Sequence, residues 1–361
     1  MLSNTFSRFF PTSSFLETPS FGLDISDESI RYVELLKTRY GIKLGKYGEK
    51  KIPKGVVESG KIKDEKKVEE ILNILKKENN IKSVRVSIPE EQIYIFKIYI
   101  AKQDLKNIRE GIDLVLEEHI PIPAEEVNFD YDVISEDPES LEVQVVAASK
   151  DIIENYLALF KSCNIMVQSF ELEAQAISRA VVKYGDMDTY MIVDFGEKRT
   201  GIFILSRGVI MFTSTLDVSG DMLNNMIMKN FKITFDEAEK MKQKYGLQRN
   251  IGNQEIFSVI LNSVSVLRDE IVKHFLYWNT HKDEKNKVNP IINKIIICGG
   301  GANLIGISDY FAVSLKTKVE IANVWTNIIK EKEVYIPDIN FKQSLSYASA
   351  LGLALGDFNH D

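Results

Sequence analysis

The sequence predicts an α/β protein with two related lobes and an inserted subdomain. Three observations support this prediction. A run of three short strands occurs twice, a β-α-β-β-α-β pattern separates the two copies, and each half contains a helix rich in small residues. At 361 residues, the chain is long enough for two domains with separate cores.

The first copy of the strand run occupies residues 21–47 and is predicted to form the strands FGLDI, IRYVELL and GIKLGKY. The helix DEKKVEEILNILKKENN follows, with Asp64 as its predicted N-cap and apolar residues at helical spacing. SVRVSI then alternates as a strand and ends at Pro89.

The segment from about 93 to 171 has its own pattern of elements. IYIFKIYI predicts a strand, QDLKNIREGIDLVLEEH a helix, and VNFDYDVI and LEVQVVAA two alternating strands. KDIIENYLALFKSC predicts a second helix and MVQSFE a closing strand. This order is the split βαβ arrangement, so we expect a compact module inserted into a larger domain.

The second copy begins near residue 190. When Asp24 is aligned with Asp194, Val33 falls on Phe203, and both copies continue into a third strand. Three helical stretches follow, and INKIIICGGGANLIGISDYF then predicts a strand, a glycine turn and a helix. The small-residue helices are EAQAISRAVVKYG and QSLSYASALGLALG.

Composition excludes several classes of protein. The net charge of −7 is spread without long blocks of one sign, so no nucleic-acid footprint is predicted. Cys163 and Cys298 are predicted to be buried thiols, which suits a reducing cytosol. No stretch is apolar enough to span a bilayer.

Residues 1–20 do not resemble a signal peptide and are predicted to be a flexible leader. Contact of this leader with a membrane or a partner stays open.

Acidic residues lie where the first strand of each copy ends. Asp194 can hold Mg²⁺ through water, Gly196 lets backbone N–H groups approach an anion, and Thr200 adds a hydroxyl donor. Asp24 offers the same chemistry from the other lobe. Facing each other, the two hairpin tips would clamp a di- or triphosphate; ordinary hairpins with polar turns are the alternative.

Other stretches suggest further contacts. IIICGGGANL brings backbone close to a bound group, although simple loop formation is the alternative. Glu173 could orient a water for attack on a terminal phosphate, or be a surface residue at a helix start. Glu239 and Lys242 lie on one helical face, where they could form a solvated salt bridge or contact a nucleoside.

A P-loop is excluded because Ile307 stands where its lysine is required. The sequence also lacks a protein-kinase catalytic loop and zinc-ligand spacing.

Together these pieces resemble the actin-like ATPase superfamily, and within it most closely the PilM family of type IV pilus assembly proteins, with FtsA next. The resemblance is carried by FGLDISDESIRYVEL, VDFGEKRTGIFIL, EEHIPIPAEEVNFDYDVI, VQVVAASKDIIENYLALFKSCNI, FELEAQAISRAV, FDEAEKMKQKYG and CGGGANL. It spans about residues 20–357.

The resemblance implies a two-lobed actin-like fold, that is, a duplicated ribonuclease H-like fold. The first lobe would comprise 21–185 plus 336–357 and contain a partner-binding subdomain at 90–171. The second lobe would comprise 186–335, after the leader at 1–20.

The resemblance also implies ATP and Mg²⁺ as cofactors and assigns roles to residues. Asp24 and Asp194 would hold Mg²⁺ and phosphate, and Glu173 would be the catalytic, water-positioning carboxylate. The remaining nucleotide-binding residues would be Ser29, Arg31, Gly196 and Thr200 in the phosphate loops, and Glu239, Lys242, Gly299, Gly300, Gly301 and Asn303 around the nucleoside.

The first phosphate loop departs from the family pattern. Ser26 stands where glycine is usual, Asp27 and Glu28 replace small residues, and Arg31 replaces a lysine. These changes put efficient hydrolysis in doubt more than nucleotide binding. A slow ATPase and a nucleotide-gated adaptor therefore both stay open.

The resemblance further implies a cytoplasmic scaffold that binds the cytoplasmic N-terminal segment of a PilN-like protein. Attachment to the inner membrane would be through partners, nucleic acid would not be bound, and self-association stays open. One alternative is an FtsA-like cytoskeletal protein, although the ending LALGDFNHD lacks that family's amphipathic helix. A small-molecule kinase of the same fold is less expected, because no sugar or acid pocket with a catalytic base is apparent.

Overall fold

The computed structural model describes residues 20–102, 108–250, 252–282, 287–329 and 335–358. The predicted leader, apart from Ser20, and the start of the predicted helix at 103 lie outside these residues. None of the described helices is both long enough and apolar enough to cross a membrane.

The first lobe begins with three antiparallel strands, as the sequence predicts. In chain order its elements are β1 (Phe21–Ile25), β2 (Ser29–Thr38), β3 (Gly41–Lys51), the short pair β4 (Val57–Glu58) and β5 (Lys61–Ile62), α1 (Glu65–Asn79) and β6 (Ser83–Ile88). Asp64 is the N-cap of α1, because its side chain accepts a hydrogen bond from the backbone N–H of Lys67. The predicted cap is thus confirmed.

The next elements follow the predicted β-α-β-β-α-β order. They are β7 (Ile93–Ala101), α2 (Ile108–His119), β8 (Val127–Glu136), β9 (Ser140–Ser149), α3 (Lys150–Ser162) and β10 (Met166–Leu172). Strands β7, β9 and β8 form a separate three-stranded sheet. Residues such as Ile98, Ile112 and Val143 give this sheet and α2 a core of their own.

The last two elements of that pattern belong to the first lobe, which corrects the predicted extent of the insert. β10 lies parallel to β6, with Met166 opposite Ser83. Tyr156 and Phe160 of α3 are buried in the first-lobe core. Alternation of apolar residues predicts a strand but does not specify its neighbour, which the buried face of α3 determines here. The insert is therefore 93–149 rather than 90–171.

The rest of the chain completes the second lobe and returns to the first. In order the elements are α4 (Glu173–Val181), β11 (Thr189–Phe195), β12 (Thr200–Ser206), β13 (Val209–Leu216), α5 (Gly220–Phe231), α6 (Phe235–Tyr245), α7 (Gln254–Thr280), β14 (Lys294–Cys298), α8 (Ile307–Leu315), β15 (Val319–Ile321), α9 (Phe341–Ser344) and α10 (Ala348–Leu355).

The two large sheets have the same topology. Their orders are β10-β6-β1-β2-β3 and β15-β14-β11-β12-β13, with three antiparallel strands followed by two parallel ones in each. Asp24 pairs with Arg31 in the first hairpin, and Asp194 pairs with Gly201 in the second, seven positions on in both cases. The predicted internal repeat is confirmed down to the register of its hairpins.

Two small-residue helices, α4 and α10, pack directly against each other. A Cβ built on Gly352 of α10 would lie 1.7 Å from the carbonyl oxygen of Ala176 in α4. A Cβ on Gly22 of β1 would lie 2.0 Å from the carbonyl oxygen of Ala350. Glycine is therefore required at both positions, because any larger residue would push the backbones apart.

Candidate functional site

The tips of the two equivalent hairpins face one crevice. A cavity of about 290 Å³ is lined by Asp24 and Arg31 from the first lobe and by Asp194, Gly196 and Gly299 from the second. Parallel strands β1 and β6, and likewise β11 and β14, end at this edge of their sheets. Such an edge is the usual place for a ligand in α/β proteins.

A second cavity of about 570 Å³ continues from the first. Glu239, Lys242, Gly301 and Asn303 line it, and Gly300 lines both cavities. The structure thus brings the residues predicted around the nucleoside next to those predicted around the phosphates.

Asp24 is held in place by two hydroxyl groups. Its Oδ1 accepts hydrogen bonds from Ser87 Oγ at 2.6 Å and Ser349 Oγ at 3.0 Å. Asp194 approaches from the other lobe, with Cys298 Sγ 3.7 Å from its Oδ1. Burial, together with the negative charge of Asp24, raises the pKa of Asp194 to about 6. A bound cation would relieve this repulsion.

Glu173 lies at the start of α4 and lines the same cavity. Burial raises its pKa well above the usual value, and the charges of Glu90, Asp24 and Asp194 raise it further. Without a cation nearby, the ionised form of Glu173 is therefore disfavoured.

Glu90 is a site residue that the sequence analysis missed. It is 8% exposed, and its Oε1 accepts a hydrogen bond of 2.6 Å from the backbone N–H of Ala174. Burial raises the pKa of Glu90 to about 7. Its signal was its place just after β6, since that strand ends beside β1 and Asp24.

Two predicted phosphate contacts do not line the crevice. Thr200 is fully buried and its hydroxyl donates to the carbonyl oxygen of Val218 at 2.6 Å, so it ties β12 to the following chain. Ser29 is also fully buried, at the start of β2. We therefore withdraw both as phosphate contacts. A β-strand residue points to one face only, and the sequence does not show which face the crevice borders.

Glu239 and Lys242 form the ion pair that their spacing predicts, with 2.6 Å between Oε2 and Nζ. Glu239 Oε2 also accepts a 2.6 Å hydrogen bond from Asn224 Nδ2, and Lys242 Nζ donates to the Gly220 carbonyl oxygen at 3.3 Å. These contacts fix both side chains at the wall of the second cavity.

The first cavity is strongly acidic. Among the described residues, its lining contains nine carboxylates and four basic side chains. A polyphosphate would be repelled from such a site unless a divalent cation entered with it. No three His, Cys, Asp or Glu side chains in the described ranges are grouped as direct metal ligands. The Asp24 and Asp194 pair thus suits a cation that keeps most of its water shell, as Mg²⁺ does.

Gly300 shows where a ligand would fit. A Cβ built on it would meet no atom within 4 Å, although the residue borders both cavities. Gly299, by contrast, has φ +79°, and its Cβ would lie 2.4 Å from Asp194 Oδ1. Gly299 is required by the fold, whereas Gly300 leaves open space beside its backbone. The residues present therefore fit a magnesium nucleotide.

Comparisons with known proteins agree with this architecture. The solved PilM–PilN type IV pilus biogenesis complex is 19% identical with a TM-score of 0.76, over 94% of this chain and 98% of that chain. The ethanolamine utilization protein EutJ from Carboxydothermus hydrogenoformans is 18% identical with a TM-score of 0.56, over 94% of this chain and 90% of that one. MreB5 of Spiroplasma citri bound to ADP is 15% identical with a TM-score of 0.56, over 94% and 98%. These likenesses confirm the predicted actin-like fold.

Curated relatives match by sequence over part of their length. The cell division protein FtsA of Staphylococcus epidermidis is 22% identical over 218 residues, 54% of this chain and 45% of that protein. FtsA of Buchnera aphidicola subsp. Acyrthosiphon pisum is 21% identical over 260 residues, 62% of this chain and 61% of that protein. The chain thus spans less than two thirds of either relative.

A family model described as type IV pilus assembly protein PilM matches residues 22–358. This match includes both hairpins, the insert and the two packed helices. The chain therefore belongs to the PilM family of type IV pilus assembly proteins.

Proposed function

We propose that this protein is a scaffold of type IV pilus assembly that binds ATP and Mg²⁺ between its lobes and a PilN-like protein at its insert. The observation that supports nucleotide binding is the single crevice lined by equivalent hairpins of both lobes. A ligand there would contact both lobes at once and bias their closure about α4 and α10.

Asp24 and Asp194 would hold Mg²⁺ through water, and the open space beside Gly300 would take the phosphates. Bound Mg²⁺ would supply positive charge that offsets the carboxylates around the polyphosphate. Glu239 and Lys242 would then border the nucleoside in the second cavity.

The environment of Glu173 favours slow turnover or none. A water-positioning carboxylate must accept a hydrogen bond from the attacking water, which the neutral acid does poorly. Burial and the charges of Glu90, Asp24 and Asp194 raise the pKa of Glu173, which disfavours the ionised form that this role needs. We therefore propose that nucleotide acts mainly through binding.

The proposed partner is the cytoplasmic N-terminal segment of a PilN-like protein, which would place this chain in the cytoplasm beside the inner membrane. Family membership and the similar solved PilM–PilN complex support this partner. The insert has a core separate from those of the lobes. Its contact with β13 includes a hydrogen bond from Gln144 Nε2 to the Ile210 carbonyl oxygen. We therefore propose this seam as the place where the short peptide binds.

Nucleotide binding is tested by titration with fluorescent ATP, with and without Mg²⁺. Asp194→Ala should weaken the Mg²⁺-dependent affinity at least several-fold, whereas Asp113→Ala, at an exposed position on α2, should not change it. An unchanged affinity in Asp194→Ala would contradict the proposed site.

Partner binding is tested by fluorescence anisotropy with the N-terminal cytoplasmic peptide of the PilN-like protein from the same organism. Saturable binding that a scrambled peptide does not show is expected. If nucleotide gates the groove, Mg²⁺-ATP must change the peptide affinity, and the peptide must change the ATP affinity by the same factor. Absence of binding in both nucleotide states would contradict the scaffold proposal.

The sequence similarity to FtsA favours a second candidate, a cytoskeletal protein that forms filaments. Sedimentation with Mg²⁺-ATP separates the two. A pelleting, nucleotide-dependent polymer without peptide binding would favour the FtsA-like function.

A further inference from the structure

The tips of the two hairpins carry complementary charges and pair directly across the crevice. Asp27 pairs with Arg199 at 2.9 Å, and Glu28 pairs with Lys198 at 2.5 Å. In each pair the carboxylate comes from the first lobe and the cation from the second. The acidic residues that depart from the family pattern therefore have partners in the opposite loop.

The second tip makes further ion pairs outside the first tip. Two of them reach other parts of the first lobe: Lys51 at the end of β3 lies 3.4 Å from Glu197, and Arg199 also contacts Glu91 after β6. Within the second lobe, Lys198 pairs with Asp221 at 2.5 Å. The direct connection between the tips is therefore electrostatic.

Every basic side chain that lines the first cavity in the described ranges already has an acidic partner. These are Arg31 with Glu49, Lys51 with Glu197 and Glu49, Lys198 with Glu28 and Asp221, and Arg199 with Asp27 and Glu91. A polyphosphate that enters this cavity must compete with carboxylates for its cations.

We propose that bound nucleotide takes Arg199 and Lys198 away from Asp27 and Glu28, so that phosphate contacts replace direct ion pairs between the lobes. This inference rests on the nucleotide-binding function proposed above. Asp27 and Glu28 then act as internal competitors of phosphate: they hold the tips together without nucleotide and lower its affinity.

The position and chemistry of Arg199 favour it as the main side chain that would exchange a carboxylate partner for a phosphate group. It is partly buried, with a side-chain exposure of 22%, and it lines the cavity with Asp194 and Glu173. A guanidinium group can meet carboxylate and phosphate oxygens with the same paired N–H donors, so it can exchange one for the other without a change of protonation.

The test compares variants on the two sides of these ion pairs, using the full chain, fluorescent ATP and Mg²⁺. Asp27→Asn and Glu28→Gln should tighten binding several-fold, because phosphate then has fewer competitors. Arg199→Gln and Lys198→Gln should weaken binding at least several-fold. Asp27→Asn could impair folding, because Asp27 also accepts hydrogen bonds from the backbone N–H groups at positions 59 and 60. Glu28→Gln tests the same exchange without the loss of those hydrogen bonds.

Glu320→Gln is the matched control and should leave the affinity unchanged. It removes a comparable ion pair, with Lys294 at 2.8 Å, at the opposite end of β14 from the crevice. Tighter ATP binding in the variants of Asp27 and Glu28, together with weaker binding in the variants of Lys198 and Arg199, supports the exchange. Weaker or unchanged binding in both acidic variants would overturn it and leave the nucleotide site standing. Absence of Mg²⁺-ATP binding in the wild type would instead overturn the proposed function and the exchange together.

Discussion

Replacing Asp194 by Asn should stabilise the protein when no nucleotide is present. The Asp194 carboxylate shares its cavity with Asp24 and Glu173, and burial with the Asp24 charge raises its pKa to about 6. In the unfolded chain it would titrate near the ordinary value of 3.8. Ionised Asp194 therefore costs folding free energy that a neutral amide of the same shape does not.

The size of this free-energy cost and its dependence on pH follow from the difference between the folded and unfolded pKa values of Asp194. Each pKa unit corresponds to about 1.4 kcal/mol, and water in the cavity screens part of the effect, so about 1–3 kcal/mol is expected. The cost is absent below about pH 3, where both states are protonated, grows as the unfolded chain ionises first, and is complete above about pH 7, where both are ionised. For a lobe of this size each kcal/mol shifts Tm by about 2–4 °C.

Thermal unfolding of both proteins between pH 4 and pH 8 measures this effect. The Tm of Asp194→Asn should exceed that of the wild type by several degrees at pH 7.5, and the difference should narrow strongly as the pH falls to 4. Asp113→Asn, which removes an exposed carboxylate, should show no such trend. A variant less stable than the wild type at pH 7.5, or a difference independent of pH, would refute the reasoning.

Three further predictions test the crevice and the packed helices. Gly300→Val should keep the wild-type Tm but weaken binding of fluorescent ATP about tenfold, because its side chain would occupy the open space of the crevice. Gly352→Val should lower the Tm markedly, since its Cβ would lie 1.7 Å from the Ala176 carbonyl oxygen; Gly252→Ala, whose Cβ would meet no atom within 4 Å, is the control and should leave the Tm unchanged. Glu173→Gln should abolish any Mg²⁺-ATP turnover of the wild type while ATP still binds, as measured by phosphate release and by titration; retained turnover would exclude Glu173 as the water-positioning group.

The repeat and the element order could be predicted because they depend on local patterns. Strand alternation and the shared acidic position were enough to align Asp24 with Asp194, and the hairpin registers confirm that alignment. The assignment of β10 could not be predicted in the same way. Its partner β6 is about 80 residues away, and the two strands meet only within the first-lobe core, in which α3 is also buried.

The site residues that could be predicted from the sequence are those that lie at the end of a predicted strand or in a glycine turn. Asp24, Asp194 and Gly300 meet in one crevice for that reason. The predicted phosphate contact of Thr200 does not line the crevice, because the direction of its side chain depends on how the lobe packs. Glu90 was not predicted, because a glutamate that follows a proline belongs to no recognisable motif. The ion pairs of Asp27 and Arg199 join positions 172 residues apart, which no local pattern relates.

The two hairpins share a register but have opposite charges, and this asymmetry bears on how the lobes communicate. The first tip contributes Asp27 and Glu28, and the second contributes Lys198 and Arg199. Glycine-rich tips would depend on a ligand to connect them, whereas these tips connect directly. A nucleotide in this crevice would therefore change which charges hold the lobes together, and the change in closure it causes would depend on the difference between two sets of ion contacts. A partner at the insert can bias the same closure if it binds one arrangement of the lobes more tightly than the other.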